Sequence, residues 1–282
     1  MRFRLVFILI IACASVVAPA ALAPAALADS TSSSNWAGYA AHRAGVSFRT
    51  VFASWTQPTA TCARGRQTYS AYWVGLGGYS PSSDALEQAG TEVDCSPAGR
   101  IDSSAWYELV PAGSVSIRLA VRPGDRIRAS VTVVDHRVTV ALSDVSRHSG
   151  FVKTLRAGSV DVSSAEWIVE APSECSGDTS CQTLPLADFA STTFSSAGAR
   201  TTSGQEGSIS NPAWHTTKIT LTPEGRQFVV YDGPGPSVGA ALPSVLKARG
   251  TSFNVTYSRV SAPGNPLFSR DRSARRSGHL AH

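Results

Sequence analysis

The sequence predicts an all-β protein built as an antiparallel β-sandwich. Short stretches in which apolar and polar residues alternate recur along the chain, and turns rich in Gly, Pro, Ser and Asp separate them. No window of a dozen residues carries the apolar stripe of an amphipathic helix. Residues 35–257 contain neither a linker nor a repeat, and they suffice for one large domain with a continuous core. Many short strands of this kind are typical of an antiparallel sandwich.

The alternation is clearest in three consecutive segments in the middle of the chain. Each presents one apolar face, and turn residues at 123–125 and 135–137 separate the segments, which are 115–121, 127–133 and 138–142. We expect each to be a strand with one buried face. The same pattern predicts strands at residues 48–55, 69–76, 104–109, 165–170, 218–221, 226–231 and 252–257.

The N-terminus predicts export from the cell. Two arginines precede an apolar run over residues 5–17, which is too short to span a bilayer and is typical of a secretory signal. The small residues of Ala26-Leu27-Ala28 suit a signal peptidase, so we predict a signal over residues 1–28 and a secreted, extracellular mature chain. The alternatives are a cut after Ala23 and lipidation of Cys13.

The formal charge of +5 is concentrated at the two ends of the chain. The predicted signal contributes two arginines, and residues 262–282 contribute four arginines against Asp271, so the remaining residues have no net charge. Binding to nucleic acid through its phosphates requires a basic face, and we expect neither a nucleic-acid partner nor membrane contact after signal removal. We predict one domain over residues 29–261 and a basic, disordered tail over 262–282.

Four cysteines remain after the predicted cleavage, which agrees with export. They allow three pairings, and the residues alone leave the choice among these open: Cys62, Cys95, Cys175 and Cys181. The sequence contains neither a C-x-x-C motif nor a histidine near any cysteine. We therefore expect disulfides, with no metal and no other cofactor.

Two short strings carry the candidate chemistry, and four others support them in order along the chain. The two are L-E-Q-A-G at 86–90 and A-E-W-I-V-E at 165–170; the others are S-N-W-A-G at 34–38, W-V-G-L-G-G at 73–78, A-W-Y-E at 105–108, and E-C at 174–175 before a polar loop to Cys181. Together they resemble the glutamic peptidases, the eqolisin family, as a bacterial-type secreted member. The resemblance is close over residues 34–194 and loose up to 257. It implies two large antiparallel sheets in a concanavalin A-like or glucanase-like jelly roll.

The resemblance also implies a peptidase mechanism that one carboxyl and one carboxamide can perform. Peptide hydrolysis requires a base for the attacking water, a donor to the developing oxyanion and an acid for the leaving nitrogen. Glu170 would be the general base and then the general acid, and the amide N–H of Gln88 would stabilise the oxyanion. The substrate groove for polypeptides would be formed by Trp36, Trp73, Trp106 and Glu108. We expect a monomeric endopeptidase that pepstatin does not inhibit.

The residues alone do not choose between Glu166 and Glu170. In a strand both point to the same face, about 13 Å apart, which exceeds the roughly 5 to 9.5 Å between the two carboxyls of a glycosidase. Glucanases of this sandwich class carry E-x-D-x-E on one strand, and here Ile168 occupies the middle position. This strand therefore does not supply a glycosidase pair. The resemblance selects Glu170, the second glutamate of the string.

The resemblance also guides the expected disulfides and pH range. Family members carry a cysteine pair that matches Cys175 and Cys181, and the five residues between them form a loop whose ends can meet. That pairing leaves Cys62 with Cys95. An unperturbed Glu has a pKa of about 4.3, and we expect a hydrogen bond from Gln88 to lower the pKa of Glu170. We therefore predict an acidic but not extreme pH optimum.

The chain departs from the family pattern at two positions. Gly77 stands where many fungal members carry an Asp, so any support which that carboxylate gives Gln88 must come from elsewhere or be absent. Glu87 stands where an apolar residue commonly precedes the Gln. Because successive side chains of a strand alternate, we expect Glu87 to point away from Gln88.

Two rival functions are weaker. Ser237 lies in a G-x-S-x-G string, but a nucleophile elbow needs a strand, a sharp turn and a helix, and only His279 and His282 follow it. A secreted carbohydrate- or peptide-binding sandwich without catalysis is the second rival, since a fold does not determine a function. A pure binder would not need both Gln88 and Glu170.

Overall fold

A computed structural model describes residues 28–175, 181–225 and 239–259. This part of the chain is almost entirely β, with one short 3-10 helix at Ala248–Gly250. The strands in chain order are β1 (Asp29–Ser33), β2 (Trp36–His42), β3 (Phe48–Thr56), β4 (Ala71–Gly77), β5 (Leu86–Cys95), β6 (Ile101–Val110), β7 (Val115–Ile117), β8 (Arg126–Val134), β9 (Arg137–Asp144), β10 (Ser149–Arg156), β11 (Ser164–Glu170), β12 (Ser173–Cys175), β13 (Cys181–Thr183), β14 (Ser191–Thr201), β15 (Glu206–Ser208), β16 (His215–Leu221), β17 (Ala240–Pro243) and β18 (Phe253–Ser258).

The strands form a sandwich of two large sheets, as the sequence predicts. The front sheet has the order β1-β16-β2-β11-β4-β5-β6-β7, and the back sheet has the order β10-β9-β8-β3-β14-β18-β17, with β15 beside β14. Neighbouring strands are antiparallel except for β1 and β16. A pairing between Leu221 and Ala241 connects the two sheets at one edge. Strands β3, β8 and β9 of the back sheet pack against β4, β5 and β11 of the front sheet.

The alternation of the sequence accounts for the two faces of the front sheet. In β11, Ala165, Trp167 and Val169 join the core between the sheets. The residues between them point to the opposite face, which we call the outer face. The indole Nε1 of Trp167 donates to the Phe52 carbonyl at 3.0 Å within the core. Successive side chains of β11 thus point to opposite faces, and both faces are buried.

The outer face of the front sheet is itself partly apolar. A second cluster of buried side chains covers it, and it comprises Trp36, Ala40, Ala71, Trp73, Leu86, Trp106, Val110, Ile168 and Ile219. Gly90 lies among these large rings because a Cβ there would be only 2.6 Å from the Cβ of Trp73 and 2.2 Å from the Tyr72 carbonyl oxygen. The polar side chains on this face are thus surrounded by apolar ones.

The edges of the sheets differ from the prediction. Residues 115–121 are predicted as one strand, but β7 ends at Ile117 and the chain leaves the sheet, while Leu119 and Val121 remain buried. Among the described strands, β7 pairs with β6 alone, over three residues. The apolar residues after Ile117 therefore place their side chains in the core although the backbone there pairs with no described strand. Strand β10 shows no apolar alternation because most of its residues are exposed at the edge of the back sheet.

The structure contains the predicted disulfide between Cys62 and Cys95, whose Cα atoms are 5.2 Å apart. It ties the segment before β4 to the end of β5. In the hairpin of β12 and β13, Cys175 lies directly opposite Cys181. The side chains of these two cysteines lie outside the described part of the structure, so their bridge stays a prediction.

Several predicted features lie outside the described residues. These are residues 1–27 of the predicted signal, the strand at 226–231, Ser237 and the tail at 262–282. Within the described ranges, no helix has the length and apolar character needed to cross a membrane.

The disulfide between Cys62 and Cys95 should contribute measurably to stability. Its two cysteines are 33 positions apart, and closing a loop of that length reduces the entropy of the unfolded chain. We expect the Cys62→Ser, Cys95→Ser double variant to lose about 3 to 4 kcal/mol of unfolding free energy, measured by urea titration. The matched control is the double variant Cys175→Ser, Cys181→Ser. The bridge predicted between these two cysteines encloses a shorter loop, so the control should lose less unfolding free energy. An unchanged urea midpoint in the first variant would contradict the expectation.

Candidate active site

The register of the front sheet places the predicted catalytic residues on its outer face. Gln88 of β5 lies directly opposite Glu108 of β6. On its other side Gln88 is paired with Gly75 of β4, which is in turn paired with Glu166 of β11. Glu170, at the end of β11, lies opposite Ala71 of β4. The small side chain of Ala71 leaves space beside Glu170, whereas the side chains of Leu86 and Trp73 fill the space above Gly75, where a Cβ would approach each of them to 3.0 Å.

Glu170 is a partly buried carboxyl with hydrogen-bond donors on both oxygens. The indole Nε1 of Trp73 donates to Oε2 at 2.7 Å, and Nδ2 of Asn35 donates to Oε1 at 3.3 Å. A serine supports the Asn35 amide, because Ser33 Oγ donates to Asn35 Oδ1 at 2.9 Å. These donors fix the orientation of the carboxyl group, as a proton-transfer group requires.

The pKa of Glu170 is raised to about 8, chiefly by burial and also by the nearby carboxyl of Glu108, against the opposing effect of the donors Trp73, Trp36 and Asn35. The expectation that Gln88 lowers this pKa is wrong, because the amide of Gln88 donates to Glu108 instead. Removing the carboxyl from water outweighs the hydrogen bonds that favour its charged form.

Gln88 and Glu108 form a close pair on neighbouring strands. The Nε2 atom of Gln88 donates to Oε2 of Glu108 at 2.6 Å. Gln88 is only 4% exposed, and its Oε1 atom is buried with no hydrogen-bond partner among the described residues. Burial raises the pKa of Glu108, and the hydrogen bond from Gln88 opposes that rise.

A small pocket connects Glu108 with Glu170, whereas Gln88 lies behind Glu108 and does not line it. Its volume is about 110 Å³, which corresponds to the space of roughly four water molecules in the liquid, and it is lined by Ala71, Glu92, Trp106, Glu108, Ser114, Glu170, Pro172 and Ser173. Three carboxyl groups line the pocket, and none of its lining residues carries a positive charge. A low-dielectric pocket of this kind strongly disfavours full ionisation of neighbouring carboxyls.

The three tryptophans assigned to the substrate groove differ in exposure. Trp36 and Trp73 are fully buried and contact each other edge to face, with ring centroids 4.9 Å apart. Trp106 is 7% exposed and lines the pocket. In this structure Trp73 therefore contacts the carboxyl of Glu170 and no solvent, whereas Trp106 and Glu108 border the space that a substrate would enter.

Glu166 shares the outer face with Glu170, as predicted, but its surroundings differ. It is fully buried, it does not line the pocket, and within the described residues no hydrogen bond of ordinary geometry reaches its carboxyl oxygens, although the Ser164 hydroxyl is near enough to favour its charged form. Burial raises its pKa well above the ordinary value, and the carboxyls of Asp161 and Glu87 add to this. Of the two glutamates that the sequence leaves open, only Glu170 borders the pocket.

Two positions explain how the chain accommodates its departures from the family pattern. Gly77 has a φ of +87°, and a Cβ there would be 2.6 Å from the Cβ of Asp161. The carboxylate of Asp161 accepts hydrogen bonds from the Ser83 hydroxyl and the Ser163 backbone N–H. Glu87 is fully buried on the face opposite to Gln88, as expected.

Sequence reasoning missed two residues of this region. Asn35 lies inside one of the quoted strings but was not singled out, although its position beside a tryptophan in that string is the available signal. Asp161 lies in the irregular segment before β11, and nothing in the sequence relates it to Gly77. Its proximity arises only when the sheet is assembled.

Comparison with known proteins gives one family and several solved structures. The Peptidase A4 family matches residues 34–230. Scytalido-glutamic peptidase with a transition state analog inhibitor superposes with a TM-score of 0.63 at 24% identity, over 79% of this chain and 98% of that chain. SCP-B, a member of the eqolisin family in a complex with the tripeptide Ala-Ile-His, gives 0.57 at 23% identity over the same shares. No curated protein sequence matches the chain.

The buried carboxyls make stability depend on pH. Burial raises the pKa of Glu87 to about 8 and that of Asp94 to about 7, so the folded state binds more protons than the unfolded state above about pH 4.5. The free energy of unfolding should therefore be highest in acid, fall as the pH rises towards 8, and level off above that. Urea titrations at pH 5, 7 and 9 measure this directly.

Glu87→Gln isolates one of these groups. It keeps the shape of the protonated side chain and removes its titration, so the pH slope should decrease by up to about 1.4 kcal/mol per pH unit between pH 5 and 8. The matched control is Glu224→Gln at an exposed position, which should keep the wild-type slope. Equal slopes for wild type and Glu87→Gln would show that Glu87 does not titrate as its burial requires.

Proposed function

The chain belongs to the peptidase A4 family and is a glutamic-type endopeptidase, and we propose that it is secreted and cleaves polypeptides in acid with Glu170 and Gln88 as its catalytic pair. The observation that carries the proposal is the pocket between Glu170 and Glu108. There a carboxyl held by two donors faces a second carboxyl to which the Gln88 amide is bound.

Glu170 would act as the general base and then as the general acid. Its ionised form takes a proton from a water molecule in the pocket, the resulting hydroxide attacks the peptide carbonyl, and the same proton is delivered to the leaving nitrogen. The Trp73 and Asn35 donors keep the carboxyl oriented during both transfers. An N–H of the Gln88 carboxamide donates to the oxyanion of the tetrahedral intermediate, where a preorganised donor is most effective.

The absence of positive charge among the pocket's lining residues supports operation in acid. If Glu108 and Glu170 were both ionised, their charges would oppose the oxyanion as it forms. Burial raises the pKa of Glu170 to about 8, so the pocket retains a proton up to about that pH. The active form would carry one negative charge in the pair, on Glu108 before substrate binds and on Glu170 once the shared proton has passed to Glu108 for water activation. The optimum then lies on the acidic side of neutrality, and a maximum above pH 7 would contradict this.

Polypeptides are the proposed substrates. Solved relatives of the same fold contain a peptide-based transition state analog and a bound tripeptide. The pocket accommodates little more than a reacting group, and Trp106 and Glu108 at its border would contact the peptide chain. Trp36 and Trp73 would support Glu170 and contact substrate only if the pocket opens. We propose a monomer that needs no cofactor.

Secretion remains part of the proposal. The first described strand begins at Asp29, directly after the predicted signal-peptidase site. The disulfide between Cys62 and Cys95 suits an oxidising compartment. Export of a fusion between residues 1–28 and a reporter would test this part independently of catalysis.

Replacing Glu170 tests the catalytic assignment. Glu170→Gln keeps the shape of the side chain but removes the base, so digestion of a denatured protein between pH 2 and 7 should slow about 10²- to 10⁴-fold, with pepstatin present throughout. Glu166→Gln is the matched control, because it changes a glutamate on the same strand and face that does not line the pocket. It should retain wild-type activity.

The carboxamide is tested by Gln88→Ala in the same assay. Removing one oxyanion donor should lower kcat about 10²- to 10³-fold. Wild-type turnover by either Glu170→Gln or Gln88→Ala would reject the catalytic pair. Folded wild-type protein that cleaves nothing at any pH would favour a binding sandwich instead.

A further inference from the structure

The carboxamide of Gln88 has two orientations that differ by a flip of about 180° and occupy the same space. At a given point beside the carboxamide, one orientation presents an N–H group and the other presents the carbonyl oxygen. A donor to an oxyanion is useful only if the N–H side is the one that faces the reacting carbonyl. Something in the fold must therefore select one orientation before substrate binds.

The contacts of Gln88 identify the group that makes this selection. Its Nε2 atom donates to Glu108 Oε2 at 2.6 Å, and its Oε1 atom has no partner among the described residues. In the flipped orientation Oε1 would approach the Glu108 carboxyl, and two acceptor oxygens would repel each other when Glu108 is ionised. Gln88 is 4% exposed, so water offers little alternative to Glu108.

We propose that Glu108 is a positioning residue that binds one N–H of Gln88 and thereby directs the second N–H of the same carboxamide to the oxyanion. The inference rests on the proposed function, because it assumes that Gln88 is the oxyanion donor. Glu108 is suited to this role by its place in the fold: Gln88 and Glu108 are direct cross-strand partners on the outer face, so the sheet itself sets their separation. An amide has two N–H donors, and binding one of them to Glu108 leaves the other free.

Glu108 also determines where the pocket's negative charge lies. It faces Glu170 across the pocket, Glu92 is the third carboxyl there, and no Lys, Arg or His is among the lining residues. The charge of Glu108 raises the pKa of Glu170. Without Glu108 the pair cannot carry a second charge, so the loss of activity expected when both carboxyls ionise near pH 8 should move to higher pH in a variant that lacks it.

The test compares Glu108→Gln and Glu108→Ala with wild type, measuring kcat, KM and the pH profile on a synthetic peptide that wild type cleaves. Glu108→Ala should lower kcat about 10- to 100-fold, with KM changed less than about threefold, because a mispositioned donor costs less than a missing one. In Glu108→Gln the new carboxamide can still accept a hydrogen bond from Gln88, although it can itself flip. Its loss of kcat should therefore be smaller than that of Glu108→Ala. Both variants should show the shift of the alkaline limb to higher pH, whereas the control Glu166→Gln should show neither effect.

A double-mutant cycle separates positioning from a general structural effect. If Glu108 acts through Gln88, then adding Glu108→Ala to Gln88→Ala should cause little further loss of kcat. Urea titration of each variant confirms that the fraction folded in the assay is unchanged.

Three results would overturn the inference. The first is a Glu108→Ala variant with wild-type kcat and a wild-type alkaline limb. The second is a loss confined to KM, which would make Glu108 a substrate contact. The third is fully additive losses in the cycle. Each of these leaves the catalytic pair intact if Glu170→Gln remains inactive. A Glu170→Gln variant with full activity would instead reject both the pair and the inference.

Discussion

The burial of carboxyl groups without a compensating cation is the constraint on which the rest of the site depends. Glu170 and Glu108 border a pocket of about 110 Å³ that no basic side chain lines. Isolated charges are costly in such surroundings, so the pocket keeps a proton far above the ordinary titration range of a glutamate. The hydrogen bonds from Trp73 and Asn35 make the remaining negative charge tolerable on Glu170. Glu170 is therefore a buried carboxyl group that can act both as an acid and as a base.

The sheet supplies the geometry that this chemistry needs. Because both faces of the front sheet are covered by apolar side chains, its polar residues on the outer face have few rotamers and little water available to them. Cross-strand pairing sets Gln88 beside Glu108, and the small side chain of Ala71 leaves room beside Glu170. The positions of the catalytic groups thus follow from the strand register and from the small side chain at position 71.

Alternation in the sequence is sufficient to predict the sandwich and most central strands, because period-two burial is a local property. It also predicts that Glu166 and Glu170 share a face and that Glu87 opposes Gln88. The edge strand β10 is not predicted because few of its residues are buried. The central strands β2 and β5 are not predicted either, because both of their faces are buried and the sequence there does not alternate. The partner of Gln88, the packing of Asp161 against Gly77 and the raised pKa of Glu170 depend on contacts between distant segments. The sequence does not encode these contacts in any local pattern.

The most direct test of this account is the titration of Glu170 itself. Carbon-13 NMR of glutamate side chains in the folded, mature protein, with the signal assigned by its loss in Glu170→Gln, reports the ionisation of that carboxyl. The account predicts a midpoint near pH 8, which should fall in Glu108→Gln. A midpoint close to 4.5 in wild type would contradict the claim that burial beside a second carboxyl keeps a proton in the pocket.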